Sequence, residues 1–180
     1  MSQICIDGAG DPRVPILARV SLVDYRGAIL LDEIVQPTQA VVDYRTAETG
    51  CTPATFSHAS PFLDTQSRVA QLIANKILVG HRLWDALSVL HLSHPAVSMR
   101  DMALFPPLRR SLQRHAIVDL STLISAFMGR QIGRNPVHSV EQARAVMDLF
   151  RSCESTIENR ISTGEWPFEL APPDYAAFYT

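Results

Sequence analysis

The stretch Ser139-Val140-Glu141-Gln142-Ala143-Arg144-Ala145-Val146-Met147-Asp148-Leu149-Phe150 constrains the fold more than any other part of the chain. Ser139 followed three residues later by Gln142 has the form of a capping box, which predicts a helix starting there. Val140, Ala143, Val146, Met147 and Phe150 recur at helical spacing and make one apolar face. Glu141, Arg144, Asp148 and Arg151 fall mostly on the other side. The pattern continues to about Ile161, which predicts one long final amphipathic helix packed on a sheet.

The preceding elements supply that sheet. Gln3–Asp7 reads as a short buried strand, and Pro15–Asp24 as a second that alternates. Tyr25-Arg26-Gly27 turns the chain into a third strand, Ala28–Val35, giving an antiparallel hairpin that Pro37 ends. Residues 43–56 are polar and carry Gly50 and Pro53, hence a connecting segment. A helix from Asp64 or Thr65 to Lys76 leads into the strand Ile77–Val79, stopped by Gly80. Leu83–Leu92 is predicted helical, Val97–Met102 a fifth strand, and Asp119 or Ser121 opens a helix to about Met128. Hairpin strands followed by alternating helices and strands predict an α/β fold: a five-stranded mixed sheet with helices on both faces.

A chain of 180 residues, 47% of them hydrophobic, can bury a substantial core as one domain. The start, Met-Ser-Gln-Ile-Cys-Ile-Asp, has no basic region ahead of an apolar one, so no secretory signal is expected, and no apolar run is long enough to suggest a membrane partner. Cys5, Cys51 and Cys153 are widely spaced and unpaired in pattern, which predicts reduced thiols in an intracellular protein and no zinc site. The net charge of −2 and pI of about 6.3 argue against a broad phosphate-binding surface. The one dense basic stretch is Arg109-Arg110-Ser111-Leu112-Gln113-Arg114-His115.

The last residues change character. Residues 1–161 read as the domain and 162–180 as a tail rich in proline and aromatics, which lies across its own domain or docks on a partner. Trp166, Phe168, Tyr175, Phe178 and Tyr179 are its candidate partner contacts.

Several motifs together carry a family resemblance. The final helix is similar to the His-Ser-Val-Glu-Asp-Ala-Arg-Ala opening of the last helix in DEDDh, or DnaQ-like, 3′–5′ exonucleases of the eukaryotic RNA exonuclease branch. Asp43-Tyr44-Arg45-Thr46 with Thr49-Gly50 and Pro53 resembles that branch's Asp-Tyr-Arg-Thr-x-x-Ser-Gly-Ile-x-Pro. Ile77-Leu78-Val79-Gly80-His81 with Leu83, Leu87 and Leu90, then His94-Pro95, resembles its Ile-Leu-Val-Gly-His segment and the His-Pro after it. Arg100-Asp101 and Pro37-Thr38 match further short motifs. The resemblance covers about residues 3–155 and implies an RNase H-like fold and, since relatives of this branch are often nuclear, a nuclear rather than cytoplasmic location.

In that family four carboxylates hold two divalent ions and a histidine serves as general base. On the matching positions the first motif reads Asp7-Gly8-Ala9, so its Glu position is Ala9. The second-motif Asp position is Ala86, the histidine position Val137 and the last Asp position Gln142. Asp85 and His138 stand one residue away, and one residue on a helix is about 100° of rotation, expected to turn Asp85 away from Asp7. These degenerate positions predict no divalent metal, no cofactor and no catalysis. The sequence therefore reads as an inactive exonuclease-like module for protein interaction or scaffolding, with a protein partner or homodimer. One alternative is a non-catalytic RNA- or DNA-binding domain using Arg82, Arg109, Arg110 and Arg114. The other is a metal-dependent 3′–5′ exoribonuclease with a rearranged site at Asp7, Asp85 and His138.

Overall fold

In the computed structural model, which describes residues 1–10, 14–134, 136–165 and 172–178, the chain is a mixed α/β domain. Four strands form an antiparallel sheet in the order β3-β2-β1-β4: β1 (Ser2–Gly8), β2 (Val14–Val23), β3 (Ile29–Ile34) and β4 (Val41–Asp43). Strands β5 (Leu78–Gly80) and β6 (Met99–Asp101) make a separate parallel pair. The expected single five-stranded sheet is thus corrected to four strands plus two among the described residues. The reason is local: β1 reaches β5 through one bond, from the Met1 amine to the Val79 carbonyl at 2.7 Å, which is too little for a ladder.

The β2–β3 hairpin forms as its turn chemistry dictates. Asp24 Oδ1 accepts the N–H groups of Arg26 and Ala28 at 2.9 and 2.8 Å, and Gly27 takes φ 87°, where a glycine is needed. Successive residues of β2 point to opposite faces. Val20 and Leu22 enter an apolar cluster with α2 (Phe62–Ile73) and α3 (Leu83–Leu90). On the other face Ser21 bonds to α6 (Ser139–Ser162), and Val23 joins a cluster built from α5 (Leu120–Met128) and α6.

Three short elements have weak sequence signals and were not expected: β4, α1 (Thr46–Thr49) and α4 (Pro106–Ser111). They are too short for periodicity to reveal. The capping box at Ser139 also does not form. His138 is the N-cap residue and Ser139 is fully buried inside the first turn, its hydroxyl 2.5 Å from that of Ser21. Gln142 instead accepts the Ser2 hydroxyl at 2.9 Å. A tertiary seam has claimed both capping side chains.

The tail returns to its own domain where it is described. Residues 173–178 form a 3₁₀ turn; Tyr175 packs beside Trp84 and Leu104, and the Phe178 carbonyl accepts the His94 N–H at 3.0 Å.

Candidate nucleic-acid cleft

Alternation along β1 decides what faces the cleft. Ser2, Ile4, Ile6 and Gly8 are buried, whereas Gln3, Cys5 and Asp7 are only partly so. At the Gln3 end, β1 meets the start of α3, the turn after β4 and the first turn of α6 around a cavity of about 470 Å³. Arg45, Arg82, Asp85, Asp119 and Gln142 line it together with Gln3.

The two arginines are set by their backbones. Arg45 takes φ 48° and Arg82 φ 54°, a left-handed conformation that costs a non-glycine residue energy. Asp43 Oδ1 accepts the Arg45 N–H at 2.8 Å, and Glu48 pairs with the guanidinium. Asp101, 2% exposed at the end of β6, accepts three backbone N–H groups: Arg82 at 2.9 Å, Leu83 at 2.7 Å and Ala103 at 3.0 Å. This cap fixes the rotation of α3, so that Ala86 goes into the core and Asp85 toward the cleft, its Oδ2 2.8 Å from Arg82 Nε. The expectation was that Asp85 turns away from Asp7; Asp85 lines the cleft, and Asp7 is not part of that lining.

The electrostatics follow from burial. Desolvation raises the Asp85 carboxyl above the usual carboxylate range despite Arg82 beside it. Burial first, then the charge of Asp85, pushes the Cys5 thiol up to about 12, against the pull of Arg45. His81 gives a ring nitrogen to the Val118 carbonyl at 2.8 Å, and burial lowers its pKa, which keeps the ring neutral near pH 7. The cleft therefore offers two guanidinium groups, a protonatable carboxyl and the amides of Gln3 and Gln142, a set suited to phosphate and hydroxyl groups.

The other sequence candidates fall in varied places. Asp7 lies opposite Pro15 and Asp43, about 13 Å along β1 from Gln3 at roughly 3.3 Å per residue, and outside the cleft lining. Ala9 is exposed just beyond β1. Val137 lines the cleft and donates its N–H to the Glu48 carbonyl at 2.8 Å. His138 is the N-cap residue of α6 and is not part of the cleft lining. Of the four arginines singled out, Arg82 lines the cleft, whereas Arg109 is buried in α4 and Arg110 and Arg114 are exposed away from the lining. Tyr175 and Phe178 pack within the chain; Trp166, Phe168 and Tyr179 lie outside the described residues. Gln3 and Arg45 were missed, although alternation along β1 and the Asp43-Tyr44-Arg45 turn carried the signal.

The cleft does not fit a two-ion centre. Among the described residues, no group of three or more His, Cys, Asp or Glu side chains could hold a metal ion. Asp85 and Asp119 are the carboxylates lining the cavity, with amides at Gln3 and Gln142. Hard divalent ions need more anionic oxygen than this, so no metal-borne step is assigned to these residues.

No family model matches the chain. It is 43% identical over 148 residues to RNA exonuclease 4 of Mycosarcoma maydis, a match covering 81% of this chain and 39% of that protein. It is 33% identical over 153 residues to human interferon-stimulated 20 kDa exonuclease-like 2, covering 83% and 43%. These relatives support an exonuclease-family domain. The fold agrees: the apo pseudoubiquitin hydrolase–RNA exonuclease module of Saccharomyces cerevisiae Pan2 superposes with a TM-score of 0.73 at 20% identity, over 93% of this chain and 30% of that one. The chain spans about two-fifths of the length of the first two curated relatives named here. Relatives named as RNA exonucleases point to an enzyme, which overturns the reading of an inactive scaffold.

Proposed function

We propose that this domain is an RNA exonuclease that takes the 3′ end of a single strand in the cleft between β1, α3 and α6. The observation that carries the reading is the convergence of Arg45, Arg82 and Asp85, each oriented by backbone-level bonds, on one cavity. Such preorganised cations stabilise charge that builds on a phosphate as a water oxygen adds to phosphorus. Asp85, with its raised pKa, is placed to accept the water's proton while the bond to the leaving 3′ oxygen breaks. Gln3 and Gln142 can meet ribose hydroxyls. The underlying arrangement is RNase H-like, with the separate β5–β6 pair tied to β1 by the Met1–Val79 bond.

Shortening of a 5′-labelled single-stranded RNA tests this, in buffers with and without Mn²⁺. The intact chain is expected to release nucleotides from the 3′ end. Asp85→Asn lowers the rate by about 10²–10⁴-fold, and Arg82→Gln by about 10²-fold. RNA that stays full-length, or trimming indifferent to Asp85→Asn, would overturn the assignment.

A further inference from the structure

A second groove opens beside the cleft, a cavity of about 510 Å³ over the outer face of α5. The residue pattern of α5 makes it. Leu123 and Ile124 turn into the core, which leaves Ser121, Thr122 and Ser125 exposed on the opposite side. The chain after α5 supplies the other wall. Ile132 is buried in the same core, so Gln131 and Arg134 on either side of it face outward. Glu141, in the first turn of α6, accepts the Gly133 N–H at 3.1 Å and holds this wall in place.

The groove is continuous with the cleft. Ser121 and Gly133 line both cavities, and the passage between them is open. Gly133 takes φ 70°, and a side chain placed there would begin with no atom within 4 Å. Charge changes along this line. Asp85 and Asp119 line the cleft, whereas among the described residues no carboxylate lines the groove. Arg45 and Arg82 pair with Glu48 and Asp85. Arg134 lines the groove and has no acid partner among the described residues, so its guanidinium is left to meet an anion from outside.

We infer that the nucleotides upstream of the RNA 3′ end leave the cleft through the Ser121–Gly133 passage and lie in this groove. There the Arg134 guanidinium pairs with a phosphate, and the Ser121, Thr122 and Ser125 hydroxyls bond the sugar–phosphate backbone. The inference rests on the nuclease reading and gives the strand a direction, 3′ to 5′ from β1 toward the end of α5. Ser121 and Ser125 are one turn apart, so these contacts recur about 6 Å along the helix. Contacts to sugar and phosphate carry no base identity. Among the described residues no aromatic ring lines the groove, so the bases have no stacking platform there. The groove therefore selects for the length of a single strand and not for its sequence. Arg110 and Arg114 lie outside both linings and take no part.

Calorimetric titration of diuridylate and octauridylate tests the groove, using the intact chain with Asp85→Asn to slow trimming. The octanucleotide is expected to bind more tightly than the dinucleotide, which fills the cleft alone. Arg134→Gln reduces that ratio by about tenfold and lowers the salt slope of octanucleotide binding by about 0.7. Ser125→Asp, at an exposed position, sets a like charge against the strand and reduces the ratio too, with the thermal melt unchanged. Arg82→Gln weakens both lengths alike. An octanucleotide held no tighter than the dinucleotide, or undiminished by Arg134→Gln while still weakened by Arg82→Gln, would overturn the groove and leave the cleft standing. Binding of both lengths indifferent to Arg82→Gln would remove the cleft reading and the groove with it.

Discussion

Asp101 holds three backbone N–H groups with one carboxylate that solvent barely touches. Bonds to a charged acceptor contribute about 1.5–3 kcal/mol each when the alternative is a buried unsatisfied donor. Asp101→Ala leaves these three donors without their acceptor and is accordingly expected to cost at least about 3 kcal/mol in urea unfolding, whereas a loss under about 1 kcal/mol would mean that α3 does not depend on this cap. At the cleft itself, Arg82→Gln should reduce the slope of log affinity for single-stranded RNA against log salt by about 0.7, the value of one phosphate contact. An unchanged slope would remove Arg82 from the phosphate track. These residues were only partly legible. Arg100-Asp101 stood out as a motif, but rotation about the helix axis was reasoned from spacing alone. Asp101 sets that rotation from another strand, a long-range bond that spacing cannot express.

Helix α6 is joined to the strands by two polar ties. Arg100, 5% exposed, gives Nε and Nη2 to the two oxygens of Glu158 at 2.7 and 3.0 Å, linking β6 to α6. Removing the acid leaves a buried cation, so Glu158→Ala should cost about 2–3 kcal/mol in denaturant unfolding; the figure sits below that for a fully buried pair because Glu158 is partly exposed. A cost near zero would show that water substitutes for the carboxylate. The second tie is the seam of Ser2, Ser21, Ser139 and Gln142. Here the sequence was right about the helix and its bounds and wrong about the capping roles of Ser139 and Gln142. The apolar face at Val140, Ala143, Val146 and Phe150 was readable because burial follows a 3.6-residue period. The roles of Ser139 and Gln142 were not, because β1 and β2 offer those side chains partners that a local motif does not anticipate. The separate β5–β6 pair escaped notice for a similar reason, since strand count says nothing of which edges meet.

Across the described residues, burial favours the neutral form of three basic groups. The Met1 amine is lowered from 8.0 to about 5, and His81 and His94 are lowered below 6.5. For each, the unfolded chain binds more protons than the folded one below the ordinary pKa, so stability falls as pH falls through that window. The amine alone spans about three pH units, or about 4 kcal/mol at roughly 1.4 kcal/mol per unit. Urea unfolding should therefore show stability highest near pH 8 and declining toward pH 5, with the histidines adding to the fall below 6.5. Acetylating the Met1 amine should flatten the slope between pH 8 and 5. A pH-independent stability would contradict the burial of these groups. The functional account turns on where RNA sits, and a photo-crosslink from a 4-thiouridine at the RNA 3′ end, mapped by mass spectrometry, tests it most directly. The account predicts cross-links to the segments carrying Gln3, Arg45, Arg82 or Gln142. Cross-links confined to the Arg109–Arg114 stretch, or none above a scrambled control, would contradict it.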